Sequence, residues 1–385
     1  MKILRGSSIQ IRLFYLTAIL FILGSWMLAP NGSAQTSAAL SNTKKEAEAK
    51  GYIFVDSHDE IVNRAKKEGR LNVVVSLSQD ILSPVNVAFR KKYPFIDSRA
   101  VGVRGNEVYL RLLEELKAGL TKNQDVNDLV ADYYTDYLPY QKKIDIFGMA
   151  RERVLRIPTT MVDPTNRNVV AIGSSVHILA YNKKLIAPEK VPQTWEDFLR
   201  PEFRDGKFLL GIRPLDLQSL VPAWGLEKTL DYARKMAAQK PVWSRGGTAG
   251  LAQLLAGEYA LLVGPHLDSY LRAKDKDKSD SLGYKLLEPL PVRLNEGQGI
   301  LSRAEYPYAA LLWLEFLVSP DGQKLLDQHG PYEASVFVSG TIQEQAIRGK
   351  KLSVVDWNHY IKTPEYQKKI VEAYGFPKAE SAASK

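Results

Sequence analysis

Apolar positions along residues 52–376 switch between two periods. Residues 57–67 place Ile61, Val62 and Ala65 on one side of a helix with charges opposite, and Gly69 stops it. Leu71-Asn72-Val73-Val74-Val75 is a short β-branched run bounded by Gly69 and Ser76, as in a buried parallel strand. Helical spacing returns over 83–93 and ends at Pro94. A strand at 99–103, an amphipathic helix at 107–120 and a strand at 128–132 follow. Strands alternating with helices of this length predict β-α-β units and a parallel sheet. The grammar restarts with strands at 176–181, 207–212 and 259–263, separated by helices at 195–198, 222–238 and 250–255. Thr194 is expected to cap the first of these. Residues 299–302 form a candidate return strand, and 307–318, 321–328 and 364–373 are helical. The fold class is therefore α/β, with a second α/β lobe following the first and no internal sequence repeat.

The first stretch sets the compartment. Lys2, Arg5 and Arg12 precede the apolar run Leu13–Leu23, and Gly32-Ser33-Ala34 supplies small residues before Gln35. That is the layout of a secretory signal over residues 1–34. An uncleaved anchor is the alternative, but a spanning helix needs roughly 20 mostly apolar residues. Residues 35–51, rich in Ser, Ala, Lys and Glu, read as a flexible leader. There is no cysteine, which excludes a lipid-anchored lipoprotein, a disulfide framework and a thiolate metal site. The net charge is +9; the signal holds three of these charges and no acid, leaving +6 for the mature chain. Lys and Arg are scattered among Asp and Glu, so nucleic acid is not an expected partner. The balance suits either an ordinary basic surface or a cleft favouring anions.

Four motifs then occur in order. Ala180-Tyr181-Asn182-Lys183-Lys184-Leu185 is followed by Pro192-Gln193-Thr194-Trp195-Glu196-Asp197-Phe198, and Arg200–Gly211 continues into a strand. Leu254-Leu255-Ala256-Gly257-Glu258 and Phe316-Leu317-Val318-Ser319-Pro320-Asp321-Gly322-Gln323 complete the set. Together they resemble the extracellular (periplasmic) solute-binding proteins of ABC importers, the class that includes iron(III)-, thiamine- and polyamine-binding proteins. The resemblance implies a two-lobed, type 2-like binding-protein fold with crossing hinge strands and a ligand gripped between lobes. It implies one lobe from 52–174 plus 296–345 and another from 175–295, then a C-terminal helical segment at 346–377 and a tail at 378–385. It also implies a periplasmic monomer whose partners are a small solute and an inner-membrane permease.

Ligands in open α/β sheets lie beyond the carboxyl ends of the strands, where helix N-termini suit anions. Ser76 and Ser78 follow the first strand and could offer hydroxyls, or simply cap the next helix. Asp132, Tyr133 and Tyr134 follow the third; at most one tyrosine faces the cleft, Tyr133 being the choice, and an aromatic at the rim is the plain alternative. Arg213 could fork onto a carboxylate or phosphate, or pair with Asp216 or Glu227. Arg245-Gly246-Gly247-Thr248 precedes a helix; Gly247 admits backbone N–H groups, Thr248 is a good cap and Arg245 adds charge. The plain alternative is a flexible turn, and without a P-loop lysine no nucleotide is implied. His266, Asp268 and Tyr270 follow the strand at 259–263. In the iron-binding relatives this neighbourhood carries adjacent tyrosines, whereas here it reads Gly264-Pro265-His266-Leu267-Asp268-Ser269-Tyr270. Ferric iron is thus the secondary ligand reading, behind a small anionic or zwitterionic solute, and no metal ligand set or cofactor is assigned. His177 reads as a packed histidine. Hydrolase, zincin, P-loop and dinucleotide motifs are missing, so no enzyme is expected, a periplasmic enzyme on a two-lobed fold being the remote alternative. A receptor feeding a membrane sensor would need the same clamshell.

Overall fold

The computed structural model describes residues 32–103, 106–330 and 334–376. The expected signal lies outside them up to residue 31, as does the tail. Ten strands are described: β1 Arg70–Val75, β2 Asp97–Gly102, β3 Val126–Asp128, β4 Val169–Asn182, β5 Leu209–Gly211, β6 Val242–Ser244, β7 Leu261–His266, β8 Leu282–Lys285, β9 Leu290–Ile300 and β10 Leu352–Val355. Their order is β2-β1-β3-β9-β4-β7-β5-β6, with β10 beside β9 and β8 beside β4. β1, β2 and β3 are parallel to one another, as are β5, β6 and β7.

Two long antiparallel strands join these parallel sets. β4 pairs with β9 from Val169↔Gly299 to Val176↔Val292, then changes partner and pairs with β7 from His177↔His266 onward. All fourteen β4 residues are buried. The sequence pattern registers only its second half as strand, because Gly173-Ser174-Ser175 reads like a turn. The chain stays extended there because Ser174 is satisfied sideways: its Oγ accepts from Val336 N at 2.8 Å, and its carbonyl accepts from Gln343 Nε2 at 3.1 Å.

Each half has its own apolar core. In the first, Trp313 from the helix Pro307–Val318 meets Phe89 with ring centroids 5.2 Å apart. That helix is apolar nearly all round because it is buried all round. The Glu68 carboxylate accepts from Tyr308 N and Ala309 N at 3.1 and 2.7 Å, satisfying the helix's first free amides. In the second half, Trp195, Phe198 and Phe208 fill one face of the sheet, while Leu251 and Leu254 fill the other.

Four expectations need correction. The helix foreseen over 222–238 breaks at Gly225, whose φ of 78° ends Val221–Trp224 before Leu226–Ala238 begins. Residues 35–51 are not a loose leader: a helix runs Gly32–Ala49, with Ala47 buried in the first core. Thr43 donates to Glu152 Oε1 at 2.7 Å and accepts from Arg151 Nη2 at 2.7 Å, which ties this helix to the body. The segment after residue 346 is not all helical, since β10 pairs in parallel with β9. The turn that Thr194 precedes, Glu196–Leu199, is a 3-10 helix rather than an α-helix, but Thr194 does cap it: its Oγ1 accepts from Asp197 N at 3.3 Å, while the Asp197 carboxylate accepts from Gln193 N and Thr194 N at 2.8 and 3.0 Å.

Candidate functional site

The parallel strands β5, β6 and β7 end on the same side, so the loops after Gly211 and Ser244 converge on the last residues of β7, Gly264–His266. They enclose a cavity of about 290 Å³, small for a ligand site, which suits a small solute. Arg213, Arg245, Gly247, Thr248 and His266, five of the nine site residues expected from sequence, line it together. Leu215, Asp216, Gly264 and Ser269 share the wall. The helix Gly247–Leu255 starts at the cavity, with Gly246 in the N-cap position and no side chain capping it. Thr248 is therefore not the cap expected of it; the helix begins at Gly247, three residues earlier than the sequence pattern suggests, and leaves the Thr248 hydroxyl in the first turn. The glycines let the pieces touch: a Cβ on Gly247 would lie 3.4 Å from Pro265, and one on Gly250 would lie 2.7 Å from the Leu262 side chain.

Charge in this pocket is predominantly positive. Burial first, then the charges of Arg293, Arg272 and Arg213, push His266 down to about 3, so its ring is neutral. His177 packs edge-on against it at 4.6 Å and is held well below its ordinary value, chiefly by burial and then by His266. His177 Nδ1 donates to the Gly264 carbonyl at 3.0 Å, which leaves Nε2 buried without a partner. One acid shares the wall. Asp216 is 4% exposed, its Oδ2 has no hydrogen-bond partner, and burial raises it to about 6. Gly264 makes room for it, since a Cβ there would lie 2.4 Å from the Asp216 carboxyl.

Ser76 and Ser78 lie instead at the end of β1, in the first half. Ser78 occupies the N-cap position of Gln79–Lys92, which begins four residues earlier than the sequence spacing suggests, but its side chain makes no cap bond. Ser76 donates its backbone N–H to Asp128 Oδ2 at the end of β3. Asp128 faces Gln298 in register. Burial raises Asp128 to about 7 against the pull of Ser76 and Gln298 beside it. Its Oδ1 and both Gln298 amide atoms are buried without a partner in good geometry. Tyr133 is partly exposed and packs against the edge of an apolar cluster, whereas Tyr134 belongs to that cluster: its hydroxyl donates to Asp163, and its ring meets Tyr360 at 5.2 Å. The side chain of Asp132 lies outside the described ones.

Tyr270 does not join the pocket. It follows Leu267 at helical spacing in Leu267–Lys274, so both face the second-half core, and its ring meets Tyr284 at 5.0 Å. Sequence reasoning singled out Gly264 only as a neighbour and Asp216 only as a salt-bridge partner. A glycine directly after the apolar run of β7 was the available signal that something must approach its backbone closely.

Residues 124–364 match the family described as bacterial extracellular solute-binding protein, and the chain belongs to that family. Among solved structures, it resembles the Trichodesmium protein in complex with iron and citrate ligands at 18% identity and TM-score 0.61, covering 80% of this chain and 100% of that one. A substrate-binding protein of an ABC transporter from Agrobacterium tumefaciens aligns at 20% identity and TM-score 0.57, covering 79% and 94%. The Atu4243–GABA receptor aligns at 13% identity and TM-score 0.61, covering 81% and 99%. No curated protein matches the chain. The fold is thus the two-lobed one of periplasmic binding proteins, with β4 and β9 as the crossing strands. Solute-binding proteins of ABC importers bind small ligands and work with a membrane permease, in the extracellular or periplasmic space. No described helix is long and apolar enough to cross a membrane.

Proposed function

We propose that this solute-binding protein captures a small organic anion or zwitterion in the second-lobe pocket and, as a monomer, presents it to an inner-membrane permease without altering it. The observation that carries this reading is the convergence of Arg213, Arg245 and an uncapped helix N-terminus on one small cavity. The ligand would first dock on this cationic wall. Contacts from the strand ends of the other lobe, near Ser76, Ser78 and Tyr133, exist only once the lobes close, so ligand shifts the population toward the closed form. Export by a cleaved signal over residues 1–34 belongs to the same reading.

A bare ferric ion fits less well. The arginine charges that depress His266 would repel a cation at the same place, and the stretch Gly264–Tyr270, the neighbourhood that carries adjacent tyrosines in the iron-binding relatives, holds no tyrosine pair. Native mass spectrometry of gently purified protein decides between them. The expected result is a retained organic mass that is released intact, with no turnover on incubation; a retained iron, or a product of altered mass, would overturn the proposal.

A further inference from the structure

We propose that Asp216 is a specificity-determining acceptor in this pocket, and that the ligand is therefore a zwitterion whose cationic nitrogen donates to Asp216 while its anionic group meets Arg245 and the helix N-terminus. The inference rests on the anion-pocket reading and narrows it. A purely anionic guest would gain nothing from a carboxylate in the wall, and would be repelled by it. Yet a buried carboxylate whose Oδ2 is left without a partner is costly unless a ligand or water completes it. The fold keeps it there by leaving residue 264 as glycine, at φ 78°, against the carboxyl. An ammonium between Asp216 and the bound anion would satisfy the orphan oxygen and offset the charge.

The groups facing Asp216 make its charge readable by pH. Tyr374 of the helix Thr363–Tyr374 and Tyr232 of Leu226–Ala238 are both pushed well above their ordinary value by burial and then by the Asp216 charge, so both stay neutral. His266 on β7 sits at about 3 and is neutral as well. Arg213 and Arg245 lie on the loops after β5 and β6. Between pH 5 and pH 8, Asp216 is thus the pocket group that changes charge, passing through about 6. Affinity for a zwitterion should fall on acidification below that value, whereas affinity for a simple anion should rise.

Calorimetry on the full mature chain tests this with paired probes, 4-aminobutyrate against butyrate and β-alanine against propionate. Binding is expected for at least one amine-bearing acid, at least 30-fold tighter than for its amine-free twin, and weaker at pH 5 than at pH 7.5. Asp216→Asn should erase most of that preference and the pH dependence. Equal affinity for both twins, affinity that rises on acidification in the wild type, or no binding of either amine-bearing acid overturns the inference. An Asp128→Asn background removes the titrating carboxyl of the opposing wall, so the pH profile there reads Asp216 without an Asp216 variant, and a misfolded Asp216→Asn leaves the test intact. If Asp216→Asn costs nothing while Arg245→Ala abolishes binding, this inference falls and the anion pocket stands; if Arg245→Ala leaves affinity untouched, the anion pocket falls instead.

Discussion

The two walls of the cleft use the same construction, parallel strands ending in short loops, but opposite chemistry. In the second lobe the strand ends present Arg213, Arg245 and a helix N-terminus around an open cavity. In the first lobe they present Ser76, Asp128 and Gln298, buried and only partly satisfied. On the proposed function, the contrast assigns capture to the second lobe and closure to the first. A cationic, accessible wall can capture a charged solute from water; a polar wall whose carboxyl resists ionisation gains most from the contacts made when the cleft shuts.

The largest effects should show whether the halves are energetically separate at all. Trp313→Ala in the first core and Trp195→Ala in the second should each cost about 3–5 kcal/mol. Because β4 and β9 run through both halves, each variant should shift one common calorimetric transition. Two transitions, of which each variant moves only its own, would show that the crossing strands do not couple the lobes.

Next comes Asp128. Unfolded, its carboxyl releases a proton near its ordinary 3.8; folded, it holds the proton to about 7. The folded state binds more protons between those values, so this group's stabilisation is lost as pH rises through them. Asp128→Asn should remove that loss, raising stability at pH 8 relative to pH 5 by on the order of a few kcal/mol compared with wild type. Urea denaturation at both pH values checks it, and an unchanged difference would mean that the first-lobe wall is ordinarily solvated.

Arg245→Ala should weaken the captured solute by about 10- to 100-fold, roughly 1.4–2.8 kcal/mol, with little change in thermal stability. Smallest of all is Thr248→Ala. A true cap would cost about 0.5–2 kcal/mol of stability. Since Thr248 makes no cap bond, the variant should stay within about 0.5 kcal/mol of wild type in denaturation. A larger loss would restore the capping role that the helix start at Gly247 removes.

Much of this was legible in the chain. Apolar runs locate β1, β5 and β7 to within a few residues, because their inward positions are buried and read as hydrophobic blocks, whereas β2 lies at the sheet edge with only Ser98 buried. The Arg245-Gly246-Gly247-Thr248 turn was legible for a related reason: glycines ahead of a helix mark backbone that must approach something. Other features were hidden. The crossing half of β4 contains Gly173-Ser174-Ser175, and only tertiary partners, Val336 and Gln343, make that segment a strand. The helix Gly32–Ala49 looks solvated in isolation, since its body-facing side is little more than Thr43 and Ala47. Asp216 is one of 43 acidic residues, and nothing local distinguishes the one that folds against Gly264. Tyr270 was misplaced because position after a strand does not say which helical face a side chain takes.

The account turns on closure of two lobes over a small guest. Small-angle X-ray scattering of the mature protein, with and without saturating amounts of the solute identified by native mass spectrometry, measures that directly. Ligand should lower the radius of gyration, and Arg245→Ala should shift the concentration at which this happens. A radius that stays the same while calorimetry reports full occupancy would contradict it.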